Sequence, residues 1–232
     1  VKINTYITEV PLENEWKISL YSASTRKHAI VEIVTKDGTR GYGEASPSPA
    51  FMGETAETIK FIIDNYLSKE IVGRSIFETE KINEIMEETI YSQMSAKSAV
   101  DIAVYDALSK HLNTPLYNLI GGKYRESIPL TYVIGMKDES SMIQEAKDTI
   151  AAGYKCIKLK VGRDIKKDIK VIEKIYQLIK QSHCEILIRL DGNQGYSVSD
   201  AKLLLKSVEG KVPIESFEQP IRKWDLIGMS EI

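Results

Sequence analysis

Three short apolar runs, each closing on a charged motif, constrain this chain more than anything else in it. Lys155 to Val161 carries Lys158-Leu159-Lys160, Glu185 to Leu190 leads into Asp191-Gly192-Asn193, and Pro213 to Phe217 leads into Glu218-Gln219-Pro220. Helix-length stretches separate the runs. Strands that alternate with helices build parallel βα units, and parallel strands bring their C-terminal ends to one shared rim. The pattern predicts that two lysines and two acids, distant in sequence, meet at one site.

Parity sharpens this expectation. Cys156, Lys158 and Lys160 fall on one face of their strand, and Ile157, Leu159 and Val161 on the other. With the apolar face packed on helices, both ammonium groups point into the mouth of the barrel. Two uncompensated cations there are costly, and crowding them beside a metal favours the uncharged amine that a base requires. Asp191 and Glu218 lie 27 residues apart, about one βα unit, so adjacent strands place both carboxylates on the same rim. Oxygen ligands on a rigid scaffold suit Mg2+, a hard cation. These parts fit removal of a proton alpha to a carboxylate. Lys160 is the base, Lys158 adds positive charge beside it, and Mg2+ at Asp191 and Glu218 neutralises the enediolate. The expected partner is a small-molecule carboxylate.

Composition excludes other classes. The chain has 232 residues, 43% hydrophobic and 28% charged, with a net charge of −2, which allows one large or two small domains. No basic block points to nucleic acid. No run of about 18 apolar residues spans a membrane, and Val1-Lys2-Ile3-Asn4 opens no secretion signal. Cys156 and Cys184 form no CxxC pair and read as small apolar packing in a reducing cytosol. His28, His111 and His183 lack zinc-ligand spacing.

The first half does not alternate strand and helix. Lys2 to Glu9, His28 to Thr35 and Arg40 to Ala45 read as an antiparallel meander with an Asp37-Gly38 turn. Helices follow over Glu54 to Leu67, from a Ser75/Glu78 capping box to about Tyr91, and over Ser95 to Leu112. The small residues of the last suggest tight packing. Gly121-Gly122 breaks the chain, which places a domain boundary near Lys123. Residues 1–123 then form an α+β domain. Residues 124–232 carry strands at Ile128 to Ile134 and the three runs above, with helices at Ser140 to Ala152, Lys166 to Ser182 and Ser197 to Val208, and another opened by Trp224. The fold class is α/β: an α+β domain, then the first half of a (β/α) barrel of about four units, where eight would close it.

The chain resembles the muconate-lactonising subgroup of the enolase superfamily along essentially its whole length. The resemblance rests on Gly41-Tyr42-Gly43-Glu44-Ala45, Pro115-Leu116-Tyr117-Asn118-Leu119-Ile120-Gly121-Gly122, Lys158-Leu159-Lys160, Asp191-Gly192-Asn193-Gln194-Gly195-Tyr196 and Glu218-Gln219-Pro220, in this order and spacing. It implies that the first domain caps the barrel mouth. Two of that domain's loops, Glu15 to Thr25 and Pro47 to Gly53, would read the substrate, with Trp16, Lys17, Phe51 and Met52 as candidate contacts. Asn193 would stand beside the metal ligands rather than among them. The family's third metal ligand and its opposing lysine follow later barrel strands, and neither position falls in these residues. The chain therefore reads as a truncated copy of a longer cytoplasmic enzyme, expected to be a homo-oligomer, which carries the activity. Glu44-Ala45-Ser46-Pro47 and Lys160-Val161-Gly162 resemble dipeptide epimerases of the L-Ala-D/L-Glu type. N-acylamino acid racemase, o-succinylbenzoate synthase and muconate cycloisomerase share the base and metal and stay as alternatives. A reading of another class is a non-catalytic fragment or association module whose open sheet edge pairs with a partner.

Overall fold

The computed structural model describes all 232 residues apart from the side chain of Asn14. The chain divides into two compact units. One comprises Val1–Leu12 and Thr25–Glu126; the other comprises Glu13–Ser24 and Ser127–Ile232.

β1 (Lys2–Lys17), β2 (Ser22–Val34) and β3 (Arg40–Ala45) form a sheet in the order β1-β2-β3, all of it in the first unit except the end of β1 and the start of β2. β2 and β3 are antiparallel, with Ala29 opposite Ala45 and Val34 opposite Arg40. The turn between them places Gly38 at φ 90, the left-handed region that Asp-Gly turns exploit. Helical segments follow: α1 (Pro49–Met52), α2 (Ala56–Ile62), a π-helical turn (Ile63–Leu67), α3 (Ser68–Ile71), α4 (Thr79–Thr89), α5 (Met94–His111) and α6 (Leu116–Leu119).

Two sequence features explain how this unit packs. Ile59, Ile63, Leu67 and Ile71 recur every fourth residue, and all four are fully buried. At 3.6 residues per turn such a stripe drifts around an α-helix. The wider π-helical turn at Ile63–Leu67 takes up the drift and keeps the stripe on the core. The small residues of α5 let it lie directly on β3. A Cβ at Gly43 would stand 1.9 Å from the Ala99 carbonyl oxygen, so no side chain fits there. On the sheet, Ala29, Val31 and Ile33 complete this core.

Glu32, 4% exposed, anchors a polar network on the sheet. Its carboxylate accepts from Asn4 (2.8 Å), Arg40 (2.5 Å), Tyr42 (3.0 Å) and Tyr6 (3.3 Å).

In the second unit, β4 (Thr131–Ile134), β5 (Cys156–Lys160), β6 (Leu187–Asp191) and β7 (Ile214–Glu218) form a parallel sheet in chain order. The helices are α7 (Glu139–Ala151), α8 (Ile165–Ser182), α9 (Val198–Val208) and α10 (Leu226–Glu231). Asp138, Asp164 and Ser197 cap α7, α8 and α9 through hydrogen bonds to backbone N–H groups of the first turn. Ile157, Leu159, Ile188 and Leu190 meet Ala146, Ile172, Ile175 and Leu204 in the core. No helix among the described residues is long and apolar enough to cross a membrane.

Several expectations are corrected. Glu15 to Thr25 is not a loop of the first unit. It consists of the ends of β1 and β2 around a short turn, closed by Ile18 N–H to the Tyr21 carbonyl (3.0 Å), and most of it belongs to the second unit. The two long strands carry the chain there. Glu78 accepts from the Ser75 N–H at 2.9 Å, yet α4 opens only at Thr79, so this pairing closes a turn ahead of the helix. Ile128 and Leu130 lie outside β4 and are exposed, and α10 starts at Leu226 rather than Trp224. Cys156 is buried but Cys184 is exposed in the turn after α8; both are free.

Hydrogen bonds from Asn4 first, then Arg40, hold the Glu32 carboxyl down from 4.5 to about 2. A carboxyl depressed on folding stabilises the folded state above its unfolded value and stops doing so as pH falls through the folded one. Glu32→Gln is expected to cost about 2 kcal/mol near neutrality. In urea denaturation at several pH values, the gap to wild type should hold above about pH 5 and shrink toward pH 2.

Candidate active site

The ends of β5, β6 and β7 define the site. The parallel register sets Lys160 opposite Asp191, and Asp191 opposite Glu218, so three charged residues stand in one row across three strands. The apolar alternates face the helices: Ile157, Leu159 and Val161 are at most 2% exposed. Lys158 and Lys160 therefore share the opposite face. The Lys160 ammonium pairs with Asp191 Oδ2, and the Lys158 ammonium with Glu218 Oε2 at 2.6 Å. The first pair is deeply placed, with side-chain exposures of 12% and 2%, whereas Glu218 is 55% exposed. Asp191 Oδ1 also accepts from the Asn193 N–H at 2.9 Å.

Glu218 reaches this face only because β7 is bulged. Ile188 pairs with Ile214, but Arg189 pairs with Ser216, which leaves Glu215 as an extra residue. Strict alternation from Ile214, which packs on the helix-side core, would aim Glu218 toward that core. One inserted residue reverses the parity. Phe217 then faces the core opposite Leu190, and Glu218 stands opposite Asp191. Arg189 grips the bulge residue with two hydrogen bonds to the Glu215 carboxylate, one from Nη2 at 3.0 Å and one from Nε. The face thus carries three cations and three anions in pairs: Lys158 with Glu218, Lys160 with Asp191 and Arg189 with Glu215.

The loops beyond the strands are laced together. Val161 N–H donates to the Asp191 carbonyl, Gly192 N–H to that of Glu218, and Gln194 N–H to that of Gln219, at 3.0, 3.0 and 2.8 Å. Gly162 has φ 116, and a Cβ there would meet the Gly192 oxygen at 2.6 Å. Asn193, Gln194 and Gln219 adopt left-handed φ of 43, 66 and 36. Such conformations cost on the order of 1 kcal/mol each and persist where surroundings enforce them. Here Gln194 Oε1 accepts from the Lys223 N–H and Gln219 Nε2 donates to the Ile221 carbonyl.

The hairpin tip joins this rim. Ser19 Oγ donates to the Asn193 carbonyl at 2.8 Å, and Arg163 Nη2 to that of Ile18 at 2.7 Å. Lys17 accepts through its carbonyl from Met136 N–H, and the Trp16 ring lies beside Gly135. Lys17, Lys160, Arg163 and Lys166 line one cavity of about 830 Å³. Phe51 and Met52 lie in α1 of the first unit, where the Met52 sulfur accepts from Ser95 Oγ. Sequence reasoning missed Arg189, Glu215, Ser19 and Arg163. Arg189 shares the parity of Asp191 and was available to the same argument; the bulge left no signal.

The donor chemistry fits Mg2+ in part. Asp191 and Glu218 offer adjacent hard oxygens. Asn193 Oδ1 is buried and accepts no hydrogen bond; such an acceptor costs about 1–3 kcal/mol, which a cation or its water shell would relieve. Among the described residues, no group of three His, Cys, Asp or Glu is placed to hold a metal.

Comparison with known proteins agrees with this architecture. Residues 2–121 match the "Mandelate racemase / muconate lactonizing enzyme, N-terminal domain" family, and residues 141–232 match "Enolase C-terminal domain-like". The chain belongs to the mandelate racemase / muconate lactonizing enzyme family of the enolase superfamily. It is 36% identical to the N-succinyl-L-Arg/Lys racemase of Bacillus cereus, over 99% of this chain and 62% of that protein, and the crystal structure of that racemase superposes with a TM-score of 0.93. It is 34% identical to the L-Ala-D/L-Glu epimerase of Clostridium acetobutylicum, over 96% of this chain and 62% of that one. The dipeptide epimerase of Enterococcus faecalis, complexed with Mg and the dipeptide L-Leu-L-Tyr, is 31% identical and superposes with a TM-score of 0.89, over 100% of this chain and 65% of that one. The chain spans under two thirds of the length of these relatives.

Asp191→Ala strips the buried Lys160 ammonium of its partner and is expected to cost about 3–5 kcal/mol in urea denaturation. Lys160→Met combined with Asp191→Leu should recover most of that loss, since replacing a buried pair together leaves no unpaired charge. A double variant as unstable as the single one would contradict this reading of the pair.

Proposed function

We propose that the protein containing this chain is an Mg2+-dependent isomerase that inverts a carbon alpha to a carboxylate, with a dipeptide of the L-Ala-D/L-Glu type as substrate. The observation that carries the reading is the row of Lys160, Asp191 and Glu218 across three adjacent strand ends, with Lys158 on the same face.

Lys160 Nζ, as the free amine, takes the alpha proton, and the C–H electron pair passes into the carboxylate as an enediolate. Returning a proton to the other face gives the inverted product; the donor on that face is none of the residues assigned here. Lys158 holds positive charge next to Lys160 and ties down Glu218. Asp191 and Glu218 would hold Mg2+, with Asn193 beside them, and the ion when bound supplies Lewis-acid neutralisation of the enediolate charge.

Lys17, on the tip of the β1–β2 hairpin, lines one cavity with Lys160 and Arg163, whose walls also carry Asp138, Glu139, Asp164 and Asp168, and it is assigned to substrate contact on family resemblance. Trp16 on the same hairpin tip, and Phe51 and Met52 on α1, are assigned to substrate contact on family resemblance. A second reading, racemisation of an N-acylated amino acid, is favoured by the 36% identity to the N-succinyl-L-Arg/Lys racemase.

The test is proton exchange in deuterium oxide. The full-length protein with Mg2+ is incubated with L-Ala-L-Glu, other dipeptides and N-succinyl amino acids, and the alpha proton is followed by NMR. Exchange with inversion is expected, and Lys160→Ala should lower it by a factor of about 100 to 10,000. Exchange on the N-succinyl compounds alone would favour the second reading. Loss of water in place of inversion, or undiminished exchange by Lys160→Ala, would refute the proposal.

A further inference from the structure

One half-buried acid near the site has no part in the proposed chemistry. Asp168 lies in the first turn of α8, and its Oδ2 alone receives two hydrogen bonds, from the Gly162 N–H at 3.0 Å and from the Tyr196 hydroxyl. Gly162 is two residues past Lys160, and Tyr196 is five past Asp191. Tyr196 is 7% exposed, packs edge-on against Phe217 with ring centroids 6.1 Å apart, and donates its N–H to the Pro220 carbonyl at 3.0 Å. One oxygen atom therefore joins the loop leaving the lysine to the loop leaving the acid, and the tyrosine carries the connection on to the end of β7.

We propose that Asp168 and Tyr196 are positioning residues that hold Lys160 and Asp191 in register for proton transfer. This rests on the isomerase reading for its catalytic consequence, though not for its geometry. Burial above all lifts the Asp168 carboxyl above its ordinary value, and burial followed by the Asp168 charge lifts the Tyr196 phenol well above its own, which keeps the phenol a donor. Because both donors converge on a single oxygen, the clamp needs an acceptor rather than a charge. An asparagine whose carbonyl takes the place of Oδ2 preserves both bonds.

Three variants of the full-length protein test this: Tyr196→Phe, Asp168→Ala and Asp168→Asn. Tyr196→Phe keeps the ring against Phe217 and removes only the hydroxyl. Tyr196→Phe and Asp168→Ala are expected to lower kcat for alpha-proton exchange by about tenfold or more. KM should stay within about twofold, the signature of an interaction needed in the transition state. Asp168→Asn should restore most of the rate. In hydrogen exchange, the Gly162 amide should be deprotected in Asp168→Ala but not in Asp168→Asn. Unchanged kcat in Tyr196→Phe, or Asp168→Asn as impaired as Asp168→Ala, would overturn the assignment. If the wild-type protein exchanges no alpha proton on any of the carboxylates above, the isomerase reading has failed. The Gly162 amide then decides the clamp, and wild-type protection in Asp168→Ala would overturn it.

Discussion

The site depends on the registration of three parallel strands. A shift of one residue in β5, β6 or β7 turns every side chain of that strand to the other face, so the ion pair of Lys160 and Asp191 exists only in the observed pairing. The pairing is held from both sides. On the helix face, Ile157, Leu159, Ile188 and Leu190 fill the core and fix parity. On the site face, every cation finds an anion, so three basic side chains stay on one small surface without uncompensated charge. Neither half suffices alone: the apolar half sets which way the lysines point, and the charged half makes that direction tolerable.

Irregular backbone completes what regular backbone cannot. β7 must pack Ile214 and Phe217 against the core yet present Glu218 beside Asp191, and no strictly alternating strand does both. The bulge at Glu215 reconciles the demands, and Arg189 secures it. Past the strand ends, left-handed residues and close glycine contacts pull three loops into a single rim, to which the tip of the β1–β2 hairpin adds Ser19 and accepts Arg163. Strain and small residues gather where the chemistry is proposed, and regular packing surrounds them.

Much of this was legible in the sequence, for a physical reason. Periodicity reports which face is apolar, so the face of Lys158 and Lys160 followed from Ile157 and Leu159, and the helical stretches from Ser140, Lys166 and Ser197 begin within one residue of α7, α8 and α9. Where the outcome hinged on one inserted residue or on contacts between distant segments, periodicity had nothing to report. The extra residue of β7 looks like ordinary strand sequence. The Ser75/Glu78 pair has the composition of a capping box and closes a turn instead. Glu15 to Thr25 reads as a loop because long strands were not expected to carry Trp16 and Lys17 into the second unit. The metal-ligand and base roles rest on motif order and chemistry, to which the structure adds proximity.

The measurement that tests the central claim most directly is a crystal structure of the full-length protein grown with Mg2+. The account expects one ion with an oxygen of Asp191 and an oxygen of Glu218 each about 2.1 Å away, and the Lys160 amine free of Asp191 and turned toward the open site. An ion bound elsewhere, or carboxylates still paired with both lysines at saturating Mg2+, would contradict it.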